Sequence, residues 1–348
     1  MKAVQTLVVA EDEAGLRLDR WFRRHFSQVG QGRIEKMCRK GEIRVDGGRV
    51  KASSRVQSGQ SVRIPPLPAP DPLRPQRPAS IGPSDEDAAL IRSCVIYRDD
   101  HIIVLNKPAG LAVQGGSGQT RHVDGMSAAL TFGLDEKPRL VHRLDKDTSG
   151  VLLLARTVAM AAALTKAFRA RSTRKIYWAA VAGSPMPRMG TIRFGLLKSA
   201  GHGPNGAGEK MICIHPDQIA STPGAKHATT DYSVLEEAGK RTAWVALAPI
   251  TGRTHQLRAH MAEIGHPIVG DGKYGTNRQT NEGDGWGAQL GGEVSRKLHL
   301  HARSITFDHP VSGARMTLTA PLPAHMKKTW ELFSWQEKWA PDDPFLAE

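Results

Sequence analysis

The chain has 348 residues, of which 40% are hydrophobic, and this is typical of about two globular domains with buried cores. Its formal net charge of +14 indicates a polyanionic partner, nucleic acid or an anionic surface. No stretch approaches the roughly 20 apolar residues of a transmembrane helix, and no apolar signal core follows Met1. The three cysteines are too far apart for a disulfide framework or a zinc motif, which is typical of free thiols in a reducing compartment. We therefore expect a cytoplasmic protein without a membrane partner.

The first 64 residues predict a small basic domain with two helices and a short sheet. Apolar residues at positions 18, 21, 22 and 26 have helical spacing, and Gly41 ends a second helix with a basic outward face. The cations of that face are Arg33, Lys36, Arg39 and Lys40. A hairpin over residues 43–51 and a strand over residues 61–64 follow. The segment holds 14 Lys and Arg against 7 Asp and Glu, half of the net excess, which favours binding to a nucleic-acid backbone.

A proline-rich segment separates this domain from a second one. Residues 65–83 contain eight prolines, which is typical of a stiff, extended linker. We assign residues 65–90 to the linker and begin the second domain at Ile91. That domain opens with strands near residues 95–97 and 101–105. The glycine-rich residues 115–118 lack the Lys-Ser/Thr of a phosphate-binding loop, so no nucleotide cofactor is expected.

A dense polar run at residues 142–150 leads directly into the apolar run 151–154. Polar surface loops rarely join four consecutive core residues, so we interpret the run as a functional loop held on a rigid strand. It carries two carboxylates, Asp145 and Asp147, and two hydroxyls, of which Ser149 is the candidate nucleophile. Three kinds of chemistry are therefore open to it.

Metal binding and nucleophilic hydrolysis are the first two of these three chemistries. Asp145 and Asp147, two residues apart, could both ligate Mg²⁺. His255 and His260, however, are five residues apart and do not share one helical face. Ser149 lacks the Gly-x-Ser-x-Gly elbow of a hydrolase. We therefore expect neither a metal nor a serine nucleophile.

The rest of the chain predicts a helix, a series of strands and one more polar motif. A helix covers residues 158–170, and Tyr177 lies where the next strand begins. Residues 251–261 predict a helix with Thr251 or Thr254 as its N-cap. The other predicted elements are a hairpin with an insertion at residues 184–227, strands at 232–235, 242–247, 298–302 and 315–320, a loop at 276–296, and a C-terminal helix within 325–348.

The third chemistry is that of a carboxylate held by arginines. Arg143 lies two residues from Asp145, while Arg253 and Arg258 lie on a separate element that can converge on it. An arginine lowers the pKa of a neighbouring aspartate and keeps it ionised, which suits a nucleophile or an electrostatic stabiliser. A structural Asp–Arg pair that only fixes the loop explains the same spacing equally well.

Five motifs now stand in order along the chain. They are Asn-Lys-Pro-Ala-Gly at 106–110, His-Arg-Leu-Asp-Lys-Asp-Thr-Ser-Gly at 142–150, Lys-Ile-Tyr at 175–177, Thr-Gly-Arg-Thr-His-Gln-Leu-Arg-Ala-His at 251–260, and Leu-His-Leu-His-Ala at 298–302. Together they resemble the signature of the RluA-type pseudouridine synthases, in particular the RluC-like branch. Residues 1–64 resemble the small RNA-binding domain of the ribosomal-protein S-four type.

The resemblance implies an α+β protein. A small N-terminal α/β RNA-binding domain, residues 1–64, would precede a catalytic domain, residues 91–325, and a C-terminal tail, residues 326–348. The catalytic domain would have a long mixed or antiparallel sheet flanked by helices, with a central cleft between two halves.

The same resemblance implies roles for the site residues. Asp145 would be the nucleophile, Tyr177 would stack on the uracil and is a candidate proton-abstracting base, and Arg258 would pair with the aspartate. Arg143 would replace the flipped base in the RNA stack, and Leu257 would wall the pocket. The other predicted RNA contacts are Arg253, His255 and the four cations Arg33, Lys36, Arg39 and Lys40.

The implied activity is isomerisation of uridine to pseudouridine, without a cofactor or a metal. The RluC-like pattern predicts large-subunit ribosomal RNA as the substrate, and we expect a monomer. The alternatives are the same chemistry on transfer RNA and a ribosome-assembly factor that binds RNA without catalysis. Asp145, Tyr177 and Arg258 are all present, which favours the enzyme over the binding protein.

Overall fold

A computed structural model describes residues 4–67, 82–115, 121–169, 173–199, 210–275 and 293–346. Their contacts divide the chain into two units, Met1–Ile81 and Gly82–Glu348, each with its own sheet. Parts of several predicted segments lie outside the described residues. These are residues 68–81 of the linker, 116–118 of the glycine-rich stretch, 200–209 of the hairpin insertion, 276–292 of the later loop and 347–348 of the tail.

The first unit consists of two helices on a four-stranded sheet. Its elements are β1 (Gln5–Val8), α1 (Leu18–His25), α2 (Gln31–Lys40), β2 (Arg44–Val45), β3 (Gly48–Arg49) and β4 (Ser61–Ile64), with sheet order β1-β4-β2-β3. Trp21, Phe22 and Ile34 are fully buried against the sheet residue Val62, because the apolar positions of each helix recur on one face. Gly41 ends α2 in the left-handed conformation, with φ of 72°, as predicted.

The predicted linker is too long at its C-terminal end. Helix α3 (Asp85–Ser93) begins within the range 65–90, so the boundary at Ile91 is wrong. The hydroxyl of Ser84 accepts a hydrogen bond from the backbone N–H of Asp87 at 3.2 Å, and three acidic residues occupy the first turn. A side-chain cap and negative charge both stabilise a helix N-terminus, and these signals outweigh the preceding prolines.

The second unit is built on one eleven-stranded sheet. Its strands are β5 (Val95–Arg98), β6 (Ile102–Lys107), β7 (Arg139–Leu140), β8 (Ser149–Ala155), β9 (Arg174–Ala182), β10 (Met189–Ser199), β11 (Lys210–Ile214), β12 (Lys226–Ala238), β13 (Thr242–Pro249), β14 (Leu300–Asp308) and β15 (Arg315–Thr319). The main order is β11-β10-β12-β13-β9-β14-β8-β6-β5, with β15 beside β14 and β7 beside β8. The predicted hairpin at 184–227 is confirmed as β10 and β11.

One parallel strand pair joins two antiparallel halves of this sheet. Strands β14 and β8 pair in parallel at His301 with Ser149 and at Ala302 with Gly150, whereas the other described pairs are antiparallel. Gly150 has φ of 108°, and a Cβ built on it would lie 2.2 Å from the carbonyl oxygen of Ala302. The close approach of the two halves therefore requires a glycine at the end of the polar run. The expected mixed sheet in two halves is confirmed.

Helices cover both faces of the sheet. They are α3, α4 (Val123–Met126), α5 (Val158–Arg169), α6 (Gln256–Glu263) and α7 (Ala324–Leu332). Alternate residues of β9 enter opposite cores, with Trp178 on one face and Ala179 on the other. Trp330 of α7 packs edge-on against Trp244 of β13, with ring centroids 5.4 Å apart, so the C-terminal helix forms part of one core. Among the described residues, no helix has the length and apolar character to cross a membrane.

Candidate active site

A cleft lies beside the parallel pair that joins the two halves of the sheet. It consists of two adjoining cavities of about 560 Å³ and about 970 Å³. The loop before β8 and the segment that opens α6 contribute to both cavities. The residues that line both include Arg143, Leu144, Asp145, Thr254, His255 and Arg258. Asp145 thus lies in the wall shared by the two cavities, with its side chain 25% exposed.

A buried lysine ties the loop of Asp145 to the turn at residues 106–110. The ammonium of Lys107 donates to the carbonyl oxygens of Pro108 and Leu111, both at 2.8 Å, and of Lys146 at 2.9 Å. The backbone N–H of Gly110 donates to the same Lys146 oxygen at 2.9 Å. Burial lowers the pKa of Lys107 to about 7. Lys107 therefore fixes the backbone on one side of Asp145. With a pKa of about 7, its ammonium and neutral amine forms are both populated near neutral pH.

His142 has a supporting position. Its Nε2 accepts a hydrogen bond from the backbone N–H of Leu153 at 2.9 Å, so this nitrogen carries no proton. Burial, with a smaller effect of Lys175, lowers the pKa of His142 to about 3. The imidazole is neutral and helps to attach the loop to β8.

Arg258 is the principal cation at Asp145. Its Nε and Nη2 donate to the two carboxylate oxygens of Asp271 at 2.7 and 2.8 Å, and its Nη1 lies 3.4 Å from Asp145 Oδ2. Burial disfavours the charged guanidinium, but Asp271 and then Asp145 outweigh this effect and raise the pKa of Arg258. Because Asp271 occupies one edge of the guanidinium, Asp145 receives one long contact and its oxygens stay accessible from the cleft.

The other two arginines do not pair with Asp145. Arg143 is exposed, and among the described residues no hydrogen bond or ion pair joins it to Asp145, whose counter-ion is Arg258. Arg253 is also exposed, and its Nε donates to the carbonyl oxygen of His227 at 3.2 Å. Both side chains line the smaller cavity. Both side chains are therefore accessible from the cleft.

The segment that opens α6 differs from the prediction. The N-cap is His255, in the left-handed conformation with φ of 52°, and not Thr251 or Thr254. The Thr251 hydroxyl instead accepts from the backbone N–H of Thr229 at 3.0 Å and donates to the Gln256 side chain at 2.7 Å. The Thr251 side chain is therefore bonded to β12 and does not cap the helix. His255, at the N-cap, has its Nε2 3.9 Å from Asp145 Oδ2.

Tyr177 and Leu257 contribute to the apolar lining of the smaller cavity. Tyr177 lies on β9, in register between Leu247 of β13 and Ala302 of β14. Burial, and secondly the negative charge of Asp145, raise the pKa of Tyr177. The phenol is therefore protonated at neutral pH, and it contributes an aromatic ring to the wall of the smaller cavity. Leu257 is buried beside it.

Two alternative chemistries find little support in these positions. Ser149 is 1% exposed, and its hydroxyl is hydrogen-bonded to Nδ1 of buried His301 at 2.8 Å, so it does not open into the cleft. Asp147, two residues after Asp145 in the chain, is exposed. In the part of the chain that the structure describes, no three His, Cys, Asp or Glu side chains converge on a potential metal position.

Asp271 and Tyr274 were missed by sequence reasoning. Asp271 holds Arg258, and the ring of Tyr274 lies 5.2 Å from the guanidinium carbon of Arg258. The available signal was a glycine-flanked Asp and a Tyr within residues 270–275. Nothing in that spacing indicated a connection to Asp145, which is more than a hundred residues earlier.

Comparison with known proteins gives the class. A family model described as RNA pseudouridylate synthase matches residues 101–263. The chain is 34% identical over 335 residues to the ribosomal large subunit pseudouridine synthase C of Vibrio cholerae, covering 93% of this chain and 95% of that protein. The Escherichia coli protein of the same name is 33% identical over 339 residues, with 94% and 95% covered.

A solved structure agrees with these relatives. The human RNA pseudouridylate synthase domain containing 4 is 29% identical, has a TM-score of 0.58, and covers 72% of this chain and 97% of its own. The chain belongs to the RNA pseudouridylate synthase family. It is therefore an isomerase of a family that acts on RNA, as the resemblance predicted.

Proposed function

We propose that this protein converts uridines of large-subunit ribosomal RNA to pseudouridine, with Asp145 as the nucleophile. One observation carries the catalytic assignment: the Asp145 carboxylate faces the cleft beside a guanidinium that is itself held by Asp271. The choice of RNA rests on the relatives, which are named for the ribosomal large subunit. We further propose that the protein acts in the cytoplasm as a monomer.

The reaction is a rearrangement within one nucleoside. The target nucleotide leaves its stack, at a cost of a few kcal/mol, and the uracil enters the smaller cavity against Tyr177 and Leu257. Asp145 attacks either the anomeric carbon of ribose or carbon 6 of uracil, and the bond that it forms is broken again, by carbon 5 as it bonds to ribose in the first case or by elimination from carbon 6 in the second, so that the carboxylate is regenerated. The bond from nitrogen 1 to ribose breaks, the base turns, and carbon 5 bonds to ribose while its proton is lost and nitrogen 1 gains one. Electrons balance without an oxidant or a group donor.

The remaining residues have supporting roles in this proposal. Arg258 keeps Asp145 ionised. Arg143, exposed at the edge of the cleft, takes the place of the extruded base, and Arg253 contacts the RNA strand. Tyr177, a protonated phenol in the resting site, stacks on the uracil, and removal of the carbon 5 proton by Tyr177 requires its own proton to leave first.

The first unit is proposed to bind the RNA backbone. The four cations of α2 are exposed on the face opposite its buried residues Ile34, Met37 and Cys38. Cations on such a face bind phosphates without reading sequence, which positions the RNA but does not specify the target. Arg33, Lys36, Arg39 and Lys40 form this face.

The decisive experiment maps pseudouridines across ribosomal and transfer RNA in cells that carry the natural protein, no protein, or the Asp145→Asn variant. Asparagine keeps the shape of the side chain but cannot act as the nucleophile. We expect pseudouridine to be lost from the same large-subunit positions in cells without the protein and in cells with the variant. The purified variant should still bind RNA. Modification that persists with Asp145→Asn would overturn the mechanism, and losses confined to transfer RNA would overturn the substrate.

A further inference from the structure

We propose that Tyr274 is a positioning residue that holds His255 in the neutral tautomer whose Nε2–H points at Asp145. This inference rests on the proposed function, because it takes Asp145 as the reacting group. It also changes the expected role of His255 from an RNA contact to a neutral donor that helps to place the nucleophile.

The geometry begins at an edge strand of the sheet. The backbone N–H of Met211 on β11 donates to the Tyr274 hydroxyl oxygen at 2.8 Å. The same oxygen lies 3.0 Å from Nδ1 of His255. Met211 N–H already donates to this oxygen, and Nδ1 is the acceptor that the described hydrogen bonds place within reach of the phenolic hydrogen of Tyr274.

The carboxylate of Asp145 selects the same proton arrangement. A neutral imidazole carries one N–H, on either Nδ1 or Nε2. With the proton on Nδ1, the Nε2 lone pair would face the Asp145 carboxylate 3.9 Å away, which is repulsive. With the proton on Nε2, His255 donates towards the carboxylate and accepts from Tyr274. Both neighbours of the ring therefore favour the Nε2–H tautomer.

The surroundings keep this ring uncharged at neutral pH. Burial lowers the pKa of His255; Asp145 and Asp271 oppose this, while Arg258 and Lys273 add to it, and the net direction is downward. These charges face the ring from the loop before β8, from α6 and from residues 270–275. His255 thus supplies an oriented hydrogen and not a counter-charge.

The backbone supports a specific role for this position. His255 is one of four non-glycine residues with positive φ among the described residues. Such conformations are uncommon outside glycine and persist where the surrounding structure holds them. At this left-handed N-cap the imidazole lies between the Tyr274 hydroxyl and the Asp145 carboxylate.

The first test is Tyr274→Phe, which removes the hydroxyl but keeps the ring beside Arg258. Tyr232→Phe is the matched control, because it removes a hydroxyl that donates to the Pro187 carbonyl oxygen at 2.9 Å, away from the cleft residues. Nuclear magnetic resonance of isotope-labelled histidine ring nitrogens identifies the protonated nitrogen, with the His255 signals assigned by their loss in His255→Gln. We expect the Nε2–H tautomer in the natural protein and in Tyr232→Phe, and a mixture of tautomers in Tyr274→Phe.

Kinetics provide a second readout of the same variants. The probe is an in vitro transcript of large-subunit ribosomal RNA with tritium on carbon 5 of uracil, which is released when pseudouridine forms. We expect Tyr274→Phe to slow single-turnover release by about tenfold, the effect of one hydrogen bond near a charged group, with unchanged RNA affinity. A loss of RNA affinity with an unchanged single-turnover rate contradicts the positioning role.

Two substitutions at His255 separate its ring nitrogens. The amide nitrogen of glutamine reaches the place of Nε2, whereas asparagine reaches only that of Nδ1 but tolerates the left-handed backbone better. We expect His255→Gln to be about tenfold more active than His255→Asn. Equal activity, or greater activity of asparagine, overturns the inference.

The resonance result separates this inference from the proposed function. An Nδ1–H tautomer in the natural protein overturns the positioning role whatever the activity. An Nε2–H tautomer that becomes mixed in Tyr274→Phe, in a natural protein that releases no tritium from the ribosomal transcript, supports the positioning geometry and overturns only the assigned substrate or reaction.

Discussion

The basic face of α2 and the guanidinium of Arg258 place positive charge in opposite settings. The α2 cations are exposed, so they keep their hydration and their rotamer freedom. The Arg258 side chain is 8% exposed and is held by Asp271, whose side chain is 0% exposed. Hydrated cations bind a polyanion by releasing its counter-ions, with little dependence on geometry. A buried cation is costly to form, but its position is fixed, and it can act on one chosen atom.

Buried groups without a counter-ion complete this comparison. His301 is fully buried between Ser149 and the carbonyl oxygen of Ala320, with no carboxylate among its hydrogen-bond partners. Its Nε2 must donate to that carbonyl, so Nδ1 accepts from the serine hydroxyl. Burial lowers its pKa to about 3. Arg258 stays charged because Asp271 is present, whereas His301 stays neutral because no equivalent partner is.

The largest expected effect comes from Arg258→Lys, which keeps the charge and removes the fork. An ammonium cannot bond Asp271 through two nitrogens and still reach Asp145. We expect kcat/KM for tritium release from the ribosomal transcript to fall by about 10²–10³-fold, the range for a lost electrostatic group in an active site. RNA affinity should change little. Activity close to that of the natural protein would mean that charge alone is enough and that the fixed geometry of the guanidinium is unimportant.

The next effect is expected from Asp271→Asn, which releases the fixed cation. Breaking a buried ion pair leaves an uncompensated charge and costs about 3–5 kcal/mol. We expect the free energy of unfolding to fall by that order in urea titrations, together with a loss of activity. Asp308→Asn is the control, since Asp308 and Arg315 form a surface pair at 3.0 Å, and such pairs contribute little. Equal destabilisation by the two substitutions would contradict the distinction between held and exposed charge.

Local patterns explain which parts of this site were predictable. The loop of Asp145 could be singled out because a polar run ends directly at a buried strand, and the face of α2 could be read from its helical spacing. The choice of Asp145 within that loop came from the resemblance to a known family. Asp271 and Tyr274 could not, because their partners come from distant segments and their own turn has no periodic pattern. The parallel pairing of β8 with β14 has the same character, since it joins residues about 150 apart. Helix α3 was missed because the prolines before Ser84 dominate the local composition and obscure the N-cap.

The third prediction concerns pH and the uncompensated group His301. Its folded pKa, about 3, lies below the unfolded value of 6.5, so the unfolded chain binds the proton more strongly. Stability is therefore fully present above pH 6.5 and is lost as pH falls towards 3. Between pH 7.5 and 5 this residue contributes a loss of about 2 kcal/mol. We expect His301→Gln to flatten the dependence of unfolding free energy on pH, and exposed His227→Gln to leave it unchanged.

The smallest effect on chemistry is expected from the exposed cations of α2. Lys36→Gln together with Arg39→Gln removes two charges, and Lys240→Gln with Lys328→Gln removes two exposed lysines from the second unit. If α2 contacts RNA phosphates, log affinity should depend less steeply on log salt by about 0.7–0.9 per charge in the first variant only. The single-turnover rate at saturating RNA should not change, because these cations act on binding and are far in sequence from Asp145. Equal salt slopes in the two double variants would remove α2 from the RNA interface. A raised KM in the α2 double variant and a lowered kcat in Arg258→Lys would establish that the exposed cations serve RNA binding and that the buried, held cation serves catalysis.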